Sequence, residues 1–148
     1  MLSAIIVSWN VRELLRSCLR SLQADLDLAG LADVARIIVV DSASSDGTPA
    51  MLHDEFPGVE LIASETNIGY VKGNNLALSS FSILSDGSSH RHSQFFWLLN
   101  PDTIIHPGAT QTLIDFMQAH PRCGLCGPQL RNPDGSLQHG AFELPGLE

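Results

Sequence analysis

The chain has 148 residues, with 44% apolar and 16% charged side chains, which is typical of one globular domain. Its formal net charge is −8 and only eight residues are Lys or Arg, which excludes a protein that binds nucleic-acid phosphates through a basic surface. The three cysteines cannot form a fully paired disulfide framework, and no apolar run approaches the roughly 18 residues of a membrane span.

The sequence contains neither a signal-peptide pattern nor the cysteine spacing of a structural zinc site. The N-terminus lacks the basic segment of a signal peptide, so we expect a cytoplasmic protein. Cys123 and Cys126 form a C-x-x-C, but a zinc ribbon needs a second such pair, so we expect two small buried side chains beside a strand. Leu147 and Glu148 fit no element and are expected to be a cloning remnant, which leaves one domain over residues 1–146.

Strands and helices alternate from the start of the chain. Residues 3–9 are a short run rich in β-branched side chains, which predicts a strand covered on both faces, and Asn10 is expected to cap the next helix. Apolar residues recur at helical spacing and predict an amphipathic helix; they are Val11, Leu14, Leu15, Cys18, Leu19 and Leu22. Residues 36–41 predict a second buried strand, and the Thr-Pro pair at 48–49 predicts the N-cap and first position of a second helix.

The same alternation continues through the second half of the chain. The remaining predicted elements are strands over 59–63, 95–99 and 124–129, helices over 70–84 and from Pro107, a polar loop over 85–93 and a turn at 132–135. Strands that alternate with helices imply βαβ units. We therefore predict an α/β fold with a mostly parallel sheet flanked by helices.

Polar clusters follow the predicted strands, at the edge where parallel sheets bind their ligands. They occupy residues 8–10, 41–46, 67–75 and 100–102. Residues 8–12 contain no glycine, so the dinucleotide-binding fingerprint is missing, and there is no P-loop. The sequence therefore predicts a ligand site at this edge, of a kind other than an NAD or ATP site.

Four segments, in this order along the chain, resemble the family 2 glycosyltransferases of the GT-A fold. They are Ile-Ile-Val-Ser-Trp-Asn at 5–10, Val-Val-Asp-Ser-Ala-Ser-Ser-Asp-Gly-Thr at 39–48, Asn-Ile-Gly-Tyr-Val-Lys-Gly-Asn-Asn at 67–75, and Leu-Asn-Pro-Asp at 99–102. The chain looks most like the rhamnosyltransferase-like branch, in which Asn-Pro-Asp stands where other members have Asp-x-Asp. Residues 127–136 also suit that branch.

The resemblance implies a GT-A, Rossmann-like domain that binds a nucleotide-sugar donor. The activity it implies is transfer of a sugar from a dTDP- or UDP-sugar to a glycan or lipid-linked acceptor, with inversion and with help from Mg²⁺ or Mn²⁺. The full-length protein would be cytoplasmic or peripheral at the inner face of the membrane. The family's general base is an acidic residue of the second, acceptor-binding half, and nothing in this sequence aligns with it. We therefore expect a fragment that binds donor, and the catalytic residue stays unknown.

Two residues have the chemistry to hold a nucleobase. Trp9 offers a flat apolar face, and Asp41 offers an acceptor for the ring N–H of a pyrimidine; by resemblance, Asp41 reads the base. The structural alternatives are a core aromatic for Trp9 and a turn cap for Asp41. Ser8 and Asn10 flank Trp9 and are candidate donor contacts, whereas Asp46 is expected to close its Asp-Gly turn.

The segment 67–75 is expected to border the diphosphate or the ribose. Its glycines and asparagines precede a predicted helix, and a helix N-terminus with exposed N–H groups favours an anion. By resemblance, the candidate contacts are Gly69, Lys72 and Asn74. The alternative is an ordinary loop with a capping Asn.

Asp102 is the candidate metal ligand. Mg²⁺ and Mn²⁺ are held by one or two carboxylates together with phosphate oxygens and waters, and Asp102 directly follows a buried strand. Asn100 brings no charge, so we expect weak metal binding without nucleotide; by resemblance this position contacts ribose. The alternative for Asp102 is a turn or helix cap. His106 is a weaker metal candidate, and the histidines at 90 and 92 are expected on the surface.

Two other functions fit parts of the sequence. One is a non-catalytic module that binds nucleotide-sugars, which only a transfer or donor-hydrolysis assay distinguishes from an enzyme. The other is a nucleotidyltransferase, which would need a glycine-rich basic loop after the first strand, where residues 8–12 have no glycine.

Overall fold

The computed structural model describes residues 2–83 and 94–138. The chain divides into two compact units, Met1–Thr110 and Gln111–Glu148. The predicted loop at 85–93, three histidines (90, 92 and 139) and the terminal Leu147 and Glu148 lie outside the described residues. None of the helices in the described ranges combines the length and apolar character needed to cross a bilayer.

The described elements alternate between strand and helix, as predicted. In chain order they are β1 (Leu2–Ser8), α1 (Arg12–Leu28), β2 (Arg36–Asp41), α2 (Thr48–Glu55), β3 (Glu60–Ala63), α3 (Gly69–Ile83), β4 (Phe95–Leu99) and α4 (Ala109–Ala119). The strands form one parallel sheet in the order β3-β2-β1-β4. The prediction of an α/β fold with a parallel sheet is confirmed.

The strand order reverses once, beside β1. The chain runs outward from β1 through β2 to β3 and then crosses back to β4 on the other side of β1. Right-handed crossovers place α1 and α2 on one face of such a sheet and α3 on the other. Ala77 of α3 belongs to one buried cluster with Ile5, Val7, Ile38 and Val40. A sheet of this kind binds ligands where its strand order reverses, outside the carboxyl ends of the strands.

Helix α1 covers the sheet with the predicted apolar face. Leu15, Cys18, Leu19 and Leu22 are buried, whereas Leu14 is 50% exposed, so its predicted place on that face is wrong. All residues of β1 are buried. This is why β1 shows a continuous apolar run in place of the alternation that is typical of a strand with one wet face.

The predicted strand at 124–129 is absent from the described structure. Within residues 94–138, the chain after α4 contributes only an isolated antiparallel bridge between Arg131 and Leu137. The predicted turn lies inside that bridge, where Gly135 N–H donates to the carbonyl of Asn132 at 2.8 Å. Leu125 is 89% exposed, and residues 124–129 have no regular secondary structure. Glycine and proline in the stretch also disfavour a strand.

Cys123 and Cys126 do not lie beside a strand, because the predicted strand at 124–129 is absent from the described residues. Cys123 and Cys126 are half-buried free thiols in a segment without regular structure. Their expected burial beside a strand is therefore wrong.

Helix α3 starts at Gly69, one residue before the predicted start, so residues 69–75, whose glycines and asparagines were expected to precede a helix, lie inside it. Gly73 is one of these residues and lies directly against β1. A Cβ added to Gly73 would be 2.8 and 2.9 Å from the two Cγ atoms of Val7, closer than side chains pack. Glycine at this position therefore lets α3 approach β1 closely.

We predict that Gly73→Ala destabilises the protein by about 1 to 3 kcal/mol, because the added methyl overpacks a full contact. The change comes in spite of the ~1 kcal/mol by which alanine favours a helix over glycine. Urea denaturation measures it. The matched control is Gly58→Ala, where an added Cβ meets nothing within 4 Å. Equal stability of Gly73→Ala and the wild type would contradict the close approach.

Candidate functional site

The carboxyl ends of the strands carry the residues that the sequence singled out. Ser8 ends β1 and pairs in register with Asp41, which ends β2 and pairs in turn with Ala63 of β3. On the other side of β1, β4 ends at Leu99, which pairs with Ile6. We call this edge, formed by residues 8–12, 41–48, 64–72 and 100–103, the carboxyl edge.

Ser8 and Asp41 place unsatisfied polar atoms side by side at this edge. Both residues are buried. One carboxylate oxygen of Asp41, Oδ2, accepts from the N–H of Ser44 at 3.0 Å. The other, Oδ1, and the hydroxyl of Ser8 have no hydrogen-bond partner among the described residues. A buried polar group without a partner costs about 1 to 3 kcal/mol, so such a pair marks a place where a ligand or water completes the bonding.

Trp9 is 54% exposed, so its indole is not a core side chain. Its neighbour Asn10 has a positive φ of 53°. The side chain of Asn10 accepts from the N–H of Ser45 at 2.8 Å, and its own N–H donates to Ser44 Oγ at 2.9 Å. Asn10 therefore joins the loops after β1 and β2 in place of capping α1, and the predicted cap is wrong: the N-cap position is Val11, with no side-chain bond.

Asp46 supplies the caps for two helices. Its Oδ2 accepts from the N–H of Arg12 at the start of α1, at 2.8 Å. Its Oδ1 accepts from the N–H and the hydroxyl of Thr48 at the start of α2, at 3.0 and 2.7 Å. The turn role expected for Asp46 is therefore present. The prediction that Thr48 is the N-cap of α2 is wrong, because Gly47 holds that position with a φ of 84°.

These bonds lower the pKa of Asp46. Partial burial alone would raise it, but the hydrogen bonds from the Thr48 hydroxyl and from the N–H groups of Arg12 and Thr48 outweigh that effect. Because a carboxylate fills the N-terminus of α1, that helix end is not open to an anionic ligand. The N-terminus of α3 is the helix end left at the carboxyl edge.

The loop before α3 is held by two side chains. Asn67 Oδ1 accepts from the N–H of Gly69 at 3.0 Å and from Ser42 Oγ at 3.1 Å, and Ser42 Oγ accepts from the N–H of Ile68 at 2.8 Å. Gly69 has a φ of 73° and is exposed, as is Lys72 in the first turn of the helix. These two candidates are accessible to solvent at the start of α3.

Asn74 differs from the other candidates of this segment because it is buried within α3. Its Nδ2 donates to the carbonyl of Tyr70 at 2.9 Å. Its Oδ1 has no partner in the part of the chain that the structure describes. The expected place of Asn74 in a loop before the helix is wrong, and its unpartnered oxygen keeps it a candidate contact.

Asn100 and Asp102 are both exposed in the turn after β4. The carbonyl of Asn100 accepts from the hydroxyl of Thr103 at 2.8 Å and lies 3.6 Å from Cys18 Sγ. Burial raises the pKa of the Cys18 thiol, which keeps this sulfur protonated and able to donate. The carboxylate of Asp102 has no hydrogen bond or ion pair to any residue in 2–83 or 94–138. His106, the weaker metal candidate, is exposed as well.

Asp102 alone does not make a metal centre. Across the described residues, no group of three or more His, Cys, Asp or Glu side chains could hold an ion. A single free carboxylate on an exposed turn nevertheless fits Mg²⁺ and Mn²⁺, which take one or two protein carboxylates and complete their shell with phosphate oxygens and water. The residues present therefore fit a cation that enters together with a diphosphate.

Comparison with known families decides the class of the protein. The model of the family described as Glycosyl transferase family 2 matches residues 3–141. The chain belongs to family 2 of the glycosyltransferases. The resemblance that the four segments indicated is confirmed.

One curated relative of this glycosyltransferase chain belongs to the rhamnosyltransferase branch. The chain is 31% identical over 125 residues to N-acetylglucosaminyl-diphospho-decaprenol L-rhamnosyltransferase of Mycobacterium tuberculosis, covering 84% of this chain and 40% of the relative. The chain therefore spans 40% of the length of the curated relative that it matches.

Solved glycosyltransferases share the fold of this chain. TarS 1-349 of S. aureus matches with a TM-score of 0.63 and 21% identity, over 81% of this chain and 33% of that one. Its complex with UDP-GlcNAc matches with 0.61 and 22%, over 81% and 32%. The mannosyltransferase PcManGT from Pyrobaculum calidifontis, in complex with GDP-Man and Mn²⁺, matches with 0.63 and 19%, over 78% and 32%. The GT-A fold is confirmed.

We predict that Asp46→Ala destabilises the protein by about 1 to 2 kcal/mol, because two helix starts lose their cap. The folded-state pKa of Asp46 lies below the ordinary value of 3.8. Its contribution is therefore complete above pH ~3.8 and is lost as the pH falls through the folded-state pKa. Urea denaturation of the wild type and the variant at several pH values measures the difference.

The matched control for Asp46 is Asp54→Ala, which removes an exposed carboxylate of α2 that pairs with His53. Its effect should stay within ~0.5 kcal/mol. A difference between the wild type and Asp46→Ala that stays constant from neutral pH to pH ~2 would contradict the capping role.

Proposed function

We propose that this chain is the nucleotide-sugar-binding part of an inverting glycosyltransferase, with residues 1–146 as one donor-binding domain. The proposed donor is a UDP- or dTDP-sugar, bound together with Mg²⁺ or Mn²⁺. The observation that carries the proposal is the pair of buried polar atoms without partners, Ser8 Oγ and Asp41 Oδ1, in register at the carboxyl edge. Complexes of similar folds with UDP-GlcNAc and with GDP-Man and Mn²⁺ support it.

The pair at the carboxyl edge matches the imide edge of uracil or thymine. The ring N3–H of these bases donates to the free oxygen of Asp41, and the hydroxyl of Ser8 donates to a ring carbonyl. Trp9 supplies an exposed flat face for stacking. Cytosine presents an acceptor in place of the N3–H, which would face the Asp41 carboxylate without a proton between them. The site is therefore selective for uracil and thymine over cytosine.

The diphosphate is assigned to the region between the turn after β4 and the start of α3. Asp46 fills the N-terminus of α1, and the N–H groups of Ile68 and Gly69 already donate to side chains. The first-turn N–H groups of α3 that follow Gly69 and the charge of Lys72 are therefore assigned to phosphate oxygens. The free oxygen of Asn74 is assigned to a ribose hydroxyl. Asn100 is assigned to ribose through its amide. Asp102 holds the divalent cation, which neutralises charge on the departing diphosphate.

The name of a relative supports an acceptor class, and the acceptor and the location are part of the same proposal. The name of the M. tuberculosis relative describes rhamnosyl transfer to a diphosphate-linked sugar on a decaprenol lipid. We propose a lipid-linked or glycan acceptor for this protein, met from the cytoplasm at the inner face of the membrane. Inverting transfer also needs a general base for the acceptor hydroxyl, and we assign none of the described residues to that role.

We predict that UDP or dTDP raises the melting temperature of the chain, and that Mn²⁺ increases this shift. A ligand at 100 times its Kd stabilises by about 2.7 kcal/mol. Asp102→Ala should abolish the increment from Mn²⁺ and keep the shift from nucleotide alone. Differential scanning fluorimetry measures both. The matched control is Asp27→Ala, an exposed carboxylate of α1 that should leave both shifts unchanged. A Mn²⁺ increment that survives in Asp102→Ala would contradict its role.

We predict that the wild type binds UDP at least tenfold more tightly than CDP, because cytosine cannot donate to Asp41. Asp41→Ala should weaken UDP binding about tenfold or more, by the same factor with and without Mn²⁺. Ser8→Ala is the companion variant, since it removes the second unpartnered group and leaves the bond from Ser44 to Asp41 intact. Isothermal titration calorimetry gives the affinities. Equal binding of UDP and CDP by the wild type would refute base reading at this edge.

A further inference from the structure

One face of α1 holds the segment that carries Asp102. Cys18, Ser21 and Asp25 are spaced by three and four residues, so they lie on the same side of the helix. All three contact residues 100–110, which we call the Asp102 segment. The contacts therefore run along the whole segment, from the end of β4 to the first turn of α4.

The hydrogen bonds of Ser21 and Asp25 go to the backbone of the Asp102 segment. Ser21 Oγ accepts from the N–H of Ile105 at 2.9 Å and donates to the carbonyl of Cys18 at 2.9 Å. Asp25 accepts with both carboxylate oxygens, from the N–H of Gly108 with Oδ1 and from the N–H of Thr110 at 2.8 Å with Oδ2. The three N–H groups are thereby fixed to one helix.

Asp25 makes this attachment hard to release. Its residue is only 2% exposed, so its carboxylate depends on the N–H groups of the Asp102 segment for its hydrogen bonds. If the segment moved away, a buried carboxylate would lose both partners, which costs more than the loss of two neutral hydrogen bonds. The buried carboxylate of Asp25 therefore holds the Asp102 segment in one position.

Asp102 itself has no such support. Its side chain is exposed and makes no hydrogen bond or ion pair to the residues that the structure describes. Its location is therefore set by its backbone, and the backbone is fixed by α1. Metal ligands bind well only when neighbouring groups fix their orientation, and loss of such groups typically weakens metal affinity 10- to 100-fold.

We propose that Ser21 and Asp25 are positioning residues that fix the Asp102 segment so that Asp102 is placed for the divalent cation. The inference rests on the proposed function, because it assigns Asp102 to the metal. Ser21 and Asp25 contact neither the cation nor the nucleotide; they act through the backbone of residues 105, 108 and 110. Their loss therefore weakens metal binding and leaves recognition of the base at Ser8 and Asp41 intact.

The first test measures Mn²⁺ binding to the nucleotide complex by electron paramagnetic resonance, at a temperature where every variant is folded. Asp25→Asn keeps the size of the side chain but puts an NH₂ against one of the two N–H donors. We expect Asp25→Asn to raise the Kd for Mn²⁺ about tenfold, and Ser21→Ala to raise it in the same direction. The affinity for UDP without metal should stay within about twofold of wild type.

Three control variants separate positioning from stability. Asp27→Asn and Ser17→Ala remove exposed side chains of the same helix, and the hydroxyl of Ser17 bonds within α1 to the carbonyl of Glu13. Phe56→Leu destabilises the fold at the C-terminal end of α2, away from the carboxyl edge, because it removes part of a buried side chain. All three should bind Mn²⁺ like wild type. If Phe56→Leu weakened Mn²⁺ binding as much as Asp25→Asn does, the effect would be one of stability and the proposal would be overturned.

A second measurement needs no metal. Hydrogen exchange of the metal-free protein should be faster at the amides of Gly108 and Thr110 in Asp25→Asn, and at the amide of Ile105 in Ser21→Ala. Exchange at the carboxyl ends of β1 and β2 should not change. Unchanged exchange in both variants would overturn the proposal, because the segment would then not depend on these bonds.

The outcomes also separate this inference from the proposed function. In one outcome, Mn²⁺ raises the nucleotide affinity of the wild type, Asp102→Ala abolishes that increase, and the Ser21 and Asp25 variants retain it. The proposed function would then stand and the inference would be refuted. If wild type shows no Mn²⁺-dependent binding of UDP or dTDP, the metal role of Asp102 falls, and the inference falls with it.

Discussion

Parallel pairing of β1 with a neighbour on each side is the constraint on which the rest of the structure depends. β1 bonds to β2 and to β4, so neither of its edges is free and both of its faces need cover. Helix α3 covers one face through Ala77, and Gly73 makes that contact close. The same pairing sets the carboxyl ends of β1 and β2 level, so that the unpartnered groups of Ser8 and Asp41 lie together.

Four aspartates, three at the carboxyl edge and Asp25 on α1, differ in how many of their oxygens the fold already uses. Asp25 and Asp46 accept backbone N–H bonds with both oxygens, at the starts of helices or just before them. Asp41 uses one oxygen for the turn at Ser44, and Asp102 uses none among the described residues. A carboxylate with a spare oxygen can bind a ligand without breaking the fold, so this difference separates structural from functional acids more clearly than exposure does.

Sequence patterns predicted the elements well wherever burial was periodic or continuous. The strands β1 and β4 lie within a residue or two of the prediction, and so does the start of α1, because each of these segments carries its own periodic or continuous apolar pattern. Helix α1 continues to Leu28, six residues beyond the predicted span. The same reasoning was wrong for 124–129, where a strand needs a neighbour that the segment cannot supply. It was also wrong for Asn10, whose side chain bonds to Ser45, 35 residues away, and not to its own helix.

The sequence by itself determined the fold class, the family and the set of polar residues at the carboxyl edge, because strand and helix periods and the four motifs are local in the chain. Only the tertiary structure decided which of these residues are free to bind. Asp46 caps a helix that starts 34 residues earlier, and Asp25 holds an N–H 85 residues later. Hydrogen bonds across such distances depend on how the elements pack, and no local pattern encodes them.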